Sequence, residues 1–150
     1  MQRDLHSTTD RAPAVAGRFY PSGPNSLYKE IKKLYENAET PPELAVKKPE
    51  PMAIFVPHAG YVFSGRVAAS AYAFIQNTKL DHVFLLGISH SHSFNGASIY
   101  NGNNYITPLG KIAVARDIVQ HLLKSDKVFN YLPEAHAYEH SLEVQLPFLQ

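Results

Sequence analysis

An α/β fold, with a central, mainly parallel or mixed sheet and helices on its faces, is what the sequence predicts. Three observations carry it. Met52 to Val56 is an uninterrupted apolar run, His82 to Gly87 is a second run about thirty residues later, and a helical pattern lies between them, the length of a strand, crossover helix, strand unit. Runs of this kind suit strands covered on both faces better than half-exposed ones.

Taken in order, residues 1–11 read as a flexible polar arm, and 12–150 as the folded part. Arg11 to Pro21, with small apolar residues, a Gly and two aromatics, reads as extended chain packed against something. Asn25 and Ser26 are candidate N-caps of a helix reaching about Asn37, with Leu27, Ile31 and Leu34 on one face and lysines on the other. The four prolines of 40–51 mark a connector. After the first strand, Ser64 is a candidate cap for a helix from Gly65 to about Gln76, with Val67, Tyr72, Phe74 and Ile75 on its apolar side and Ala68, Ala69 and Ala71 on the other. Ala97 to Tyr100 reads as a short strand, 101–104 as turns, 105–110 as irregular chain, Lys111 to Val114 as a strand, and Arg116 to Lys124 as a helix with His121 outward. The last segment reads as a loop entering a helix, with Leu142, Leu146 and Leu149 in one row and Pro147 kinking or ending it.

Composition narrows the functional classes. The chain of 150 residues has a formal net charge of +1 and dispersed Lys and Arg, so it lacks the concentrated basic patch of a nucleic-acid binder. It has no Cys, hence no disulfide and no thiolate ligand in these residues. No apolar run has the length of a membrane span, and Met1 to Asp10 lacks the apolar core of a signal peptide. A cytoplasmic protein without nucleic-acid or membrane partners is the expectation.

His58 and His90 fall at matching offsets just past the ends of the two predicted strands, the edge where open α/β sheets bind ligands. Two neutral imidazoles there can share a divalent ion; the plainer reading is that each bonds a backbone carbonyl. Ser89, Ser91 and His92 are candidates to orient such ligands, with His92 divided between that role and solvent. Glu139, His140 and Glu143 gather at the start of the last segment. His140 is a candidate general acid or base, its carboxylate neighbours favouring the imidazolium, with a salt bridge to Glu143 as the alternative. Tyr61 and Tyr138 either line a pocket or pack in the core. His82, His121 and His136 read as surface or locally satisfied residues.

Four stretches in order, Ala14 to Pro21, Val56 to Gly65, Leu86 to His90 and Glu139 to Pro147, resemble the Memo-like family, also called AmmeMemoRadiSam system protein B. The resemblance runs from about Ala12 to the last residue. Memo-like proteins are similar in fold to the class III extradiol non-heme iron dioxygenases. The resemblance implies that His58, in Pro-His-Ala-Gly, and His90, in Gly-Ile-Ser-His, are metal ligands for Fe(II) or another divalent ion, and that His140, in Glu-His-Ser, faces the same pocket. It also implies a remaining ligand, Cys, His or Glu, from segments beyond this chain. The expectation is therefore an N-terminal portion of a Memo-like domain that holds metal weakly, exposes apolar surface near Leu146 to Leu149 and is prone to self-association. Two functions stay open, a dioxygenase-type enzyme acting on a small molecule and a non-catalytic binder of a peptide or small anion. A zinc hydrolase, with Glu139 or Glu143 as base, lacks motif support.

Overall fold

The computed structural model describes residues 9–39 and 51–150. Its elements run α1 (Pro24–Glu36), α2 (Tyr61–Tyr72), β1 (Ala97–Ser98), β2 (Asn104–Thr107), β3 (Gly110–Ala113), α3 (Arg116–Ser125), β4 (Phe129–Asn130), α4 (Pro133–Ala137), a 3-10 turn (Glu143–Gln145) and α5 (Leu146–Leu149). β1 pairs with β4 in parallel, and β2 with β3 as an antiparallel hairpin. The α/β class therefore holds, with parallel and antiparallel pairing in two small sheets rather than one central sheet among the described residues.

α1 follows the predicted amphipathic pattern, burying Leu27, Ile31 and Leu34. It starts earlier than predicted, because Pro24 supplies a helical φ at the first turn and needs no N–H partner there. The expected caps do not cap: the Ser26 hydroxyl donates to the Gly23 carbonyl instead. α2 likewise begins before Ser64, and its buried face is the small one, Gly65, Ala68 and Ala69, together with Tyr61 and Tyr72. Val67, expected inside, is exposed. Small residues let the two helices approach so closely that a Cβ on Gly65 would lie 2.9 Å from Leu34 Cδ1.

The core joins α1 and α2 to the C-terminal segment. Phe148 stacks on Tyr72 with ring centroids 5.0 Å apart and meets Tyr61 at 5.0 Å. Leu146, Pro147 and Phe148 are buried, so the expected apolar exposure near the C-terminus is corrected. Pro147 sits in the first turn of α5 rather than ending a long helix; α4 falls where a loop was expected, and the predicted helix is reduced to the 3-10 turn and α5.

The two predicted core strands differ most from expectation. Residues 52–57 and 82–88 form no backbone ladder among the described residues, and Phe55 and Leu86 are 99% and 95% exposed. A strand exists only through its neighbours' N–H and C=O groups, and the described residues give these segments none. They are tied by side chains instead: Gln145 Nε2 donates to the Pro57 carbonyl at 3.2 Å and Ser141 Oγ to the Ile88 carbonyl at 2.9 Å. β2 falls where irregular chain was expected, and β4 was missed; two residues leave no readable pattern.

The arm boundary also shifts. Residues 1–8 and the connector at 40–50 lie outside the described residues, but Arg11, assigned to the arm, is buried. Its N–H donates to the Asn104 carbonyl at 2.8 Å and its carbonyl accepts from the Ile106 N–H at 2.8 Å, extending the β2–β3 hairpin. Its guanidinium lies 5.2 Å from the centroid of the Tyr105 ring and donates to the Glu143 carboxylate at 2.7 Å.

Candidate metal centre

Three histidines from distant parts of the chain converge. The imidazoles of His58 and His90 have centroids 5.2 Å apart, His58 and His140 5.9 Å, and His90 and His140 4.3 Å. One ligand nitrogen from each lies within 4.8 Å of the others. Metal–nitrogen bonds of about 2.0–2.1 Å require nitrogens roughly 3–4 Å apart, within reach of small side-chain rotations. The donor set fits a borderline divalent ion such as Zn, Fe or Cu better than a hard Mg or Ca ion. The third ligand position, expected from beyond this chain, thus has a candidate inside it, His140.

The segment 139–145 organises this cluster. Glu139 Oε1 accepts from His90 Nδ1 at 2.9 Å and from the N–H groups of His140 and Ser141, both at 2.8 Å; Oε2 accepts from the His90 N–H at 2.7 Å. Burial works against the carboxylate charge, but the His90 and Ser141 N–H groups, the His90 ring and the His140 N–H outweigh it and hold the pKa at about 2. An ionised Glu139 keeps the proton on His90 Nδ1, which leaves Nε2 as the free donor atom, the carboxylate–histidine arrangement that orients metal ligands. His140 is packed against Phe19, with ring centroids 4.7 Å apart. Its pKa is lowered, by burial first and then by the neighbouring His90, against an opposing pull from Glu139. Burial, not the carboxylates, therefore decides its charge, contrary to the expectation of a favoured imidazolium.

The other sequence candidates divide. Glu139 belongs to the cluster, whereas Glu143 does not touch the histidine rings: fully buried, it accepts from Arg11 Nη1, from the Ala14 N–H at 2.8 Å, from the Val15 N–H at 3.0 Å and from the Tyr20 hydroxyl at 2.7 Å. It anchors the N-terminal segment, so the salt bridge suggested between His140 and Glu143 gives way to one between Arg11 and Glu143. Tyr61 is in the core, its hydroxyl donating to the Val144 carbonyl at 2.8 Å. Tyr138 is exposed. His92 is exposed, its Nδ1 3.1 Å from Ser91 Oγ; it lines the cavity beside His90 but is not one of the three clustered histidines.

Sequence reasoning missed Arg11 and His136. Besides Glu143, the Arg11 guanidinium holds the chain just ahead of His140, Nε donating to the His136 carbonyl at 2.7 Å and Nη2 to the Glu139 carbonyl. His136, expected at the surface or locally satisfied, is buried with Nε2 2.9 Å from Ser98 Oγ. No local signal marks either residue, since their partners lie 38 to 132 positions away. Among the described residues no helix is long and apolar enough to cross a membrane.

The family model described as Memo-like protein matches residues 11–150, starting at the buried Arg11. A MEMO1 family protein of Metallosphaera sedula is 41% identical over 145 residues, covering 93% of this chain and 51% of the relative. MEMO1 family proteins of Saccharolobus islandicus strain L.S.2.15 and of Saccharolobus solfataricus are each 37% identical over 146 residues, with the same coverage. The chain spans about half the length of these relatives. By the family match and the extent of the residues it covers, the chain belongs to the Memo-like family.

Proposed function

We propose that His58, His90 and His140 hold one divalent metal ion, Fe(II) in the working protein, and that the protein is a non-heme iron oxidoreductase of the dioxygenase type acting on a small molecule. The observation that carries this is the convergence of three imidazole donors within 4.8 Å, one of them oriented by a buried carboxylate. A bound iron with open positions supplies a site at which dioxygen and an oxygen-bearing substrate meet. The chain's own residues do the rest: Glu139 fixes the His90 tautomer, Gln145 and Ser141 hold the loops carrying His58 and His90, and Phe19 packs against His140. A two-histidine site with His140 as proton carrier is the version in which His140 is a catalytic residue rather than a ligand. Its lowered pKa, from burial and then from His90, keeps it neutral at pH 7 and able to accept a proton.

The competing reading, a non-catalytic pocket for an anionic peptide, finds less support, because no Lys or Arg among the described residues lines the cavity beside His90. The test is metal analysis of anaerobically purified protein alongside His58→Ala, His90→Ala and His140→Ala. Close to one equivalent in wild type, and loss in all three variants, is expected for a three-histidine site; retention in His140→Ala alone removes that residue from the ligand set. Equal metal in every sample refutes the proposal.

A further inference from the structure

Residues 85–98 and 135–142 contribute the walls of a cavity of about 660 Å³ that runs past His90 and Glu139 and is also lined by Ser98 and His136. Small organic ligands occupy clefts of about 300–1,000 Å³. The Ser98–His136 pair is fixed between β1 and α4. Ser98 Oγ lies 2.9 Å from His136 Nε2 and accepts from the Leu132 N–H at 3.0 Å, while Arg11 grips the His136 carbonyl from behind. Burial and then the Arg11 charge lower the His136 pKa to about 4, so the ring is neutral.

A serine hydroxyl has one donor and two acceptor positions. If Ser98 donates to His136, its donor and one acceptor position are used and one acceptor position remains. If His136 donates to Ser98, both acceptor positions are used and the O–H remains. In either tautomer one position is left, and an alcohol hydroxyl, able to donate or accept, satisfies whichever it is. A carboxylate satisfies only the second. No Lys or Arg among the described residues lines the cavity to offset a negative charge, and Glu139 brings one of its own. Leu85, Phe94, Ala135 and Leu142 supply apolar wall.

We propose that this cavity binds an uncharged small organic molecule with an apolar body and an alcohol hydroxyl, the hydroxyl being bound by Ser98 Oγ at the position that His136 leaves open. The direction of its other end, toward the histidine cluster, rests on the metal reading; the hydroxyl site does not.

The test measures binding of 4-fluorobenzyl alcohol, 4-fluorotoluene and 4-fluorobenzoate by fluorine NMR titration, with and without chelator. The alcohol is expected to bind about tenfold tighter than 4-fluorotoluene, the worth of one net hydrogen bond, and the benzoate no tighter than the toluene. In Ser98→Ala the alcohol falls to the level of the toluene while the toluene is unchanged, and Ser98→Thr restores the preference. Wild-type protein that binds the alcohol no better than the toluene, or the benzoate best of all, overturns the proposal without recourse to any variant. The preference in protein that metal analysis finds empty as purified refutes only the metal reading; stoichiometric metal without the preference refutes only this one.

Discussion

Replacing Glu143 with Gln tests the anchor on which the candidate site stands. In the wild type the carboxylate is fully buried and accepts four hydrogen bonds, two at each oxygen, one of them from the buried Arg11 guanidinium. An amide keeps one accepting oxygen. Its NH2 faces at least one backbone N–H that it cannot satisfy, Val15 or Ala14 according to its orientation, and Arg11 loses its counter-charge. Breaking a buried ion pair by removing one partner costs about 3–5 kcal/mol. For a chain of this size each kcal/mol lowers Tm by roughly 2–4 °C, so a drop on the order of 10 °C is expected. Thermal and urea unfolding followed by circular dichroism measure the Tm and the free energy, and an Arg11→Met/Glu143→Leu double variant, with its two single variants, sharpens the test. Removing both charges together should cost less than the sum of the single variants, with a coupling of about 2 kcal/mol. Because the same guanidinium holds the His136 and Glu139 carbonyls, Glu143→Gln should also weaken metal retention. A loss below about 1 kcal/mol, with additive single variants, would refute the claim that this network holds the N-terminal segment to the site.

Other outcomes follow from the same contacts. Glu139 has its pKa lowered from 4.5 to about 2, so the stability it contributes is complete above about pH 4.5 and is lost as pH falls toward 2; Glu139→Gln should flatten that acid limb of a stability–pH curve and be less stable than wild type only above it. Gly96 has φ +86°, and a Cβ there would lie 2.2 Å from the Val128 carbonyl oxygen that pairs β1 with β4, so Gly96→Ala should destabilise by about 3 kcal/mol, read by urea midpoint. Phe55→Ser with Leu86→Ser replaces two nearly fully exposed side chains, so stability should stay within about 0.5 kcal/mol of wild type, read by urea midpoint.

The sequence alone determined what is local. The spacing of Leu27, Ile31 and Leu34 specifies a helix and its buried face, because a 3.6-residue period is a property of the segment itself. The four motifs specify the family, and with it the pairing of His58 with His90. Tertiary structure decided whatever depends on a distant partner. The apolar runs at 52–56 and 82–87 look like strands, yet a ladder is made by neighbours, and among the described residues those segments have none. His140 joins the other two histidines because Glu139 and Ser141 bind the loop at 88–90, which carries His90, and Gln145 binds the Pro57 carbonyl beside His58. Glu143 resembles a site carboxylate in sequence and is instead an anchor, since the donors that surround it come from residues 11–20. Arg11 stands where a polar stretch meets a segment read as packed, and nothing local marked its own side chain for burial. Its charge is tolerated inside only because Glu143 and two carbonyls meet it there.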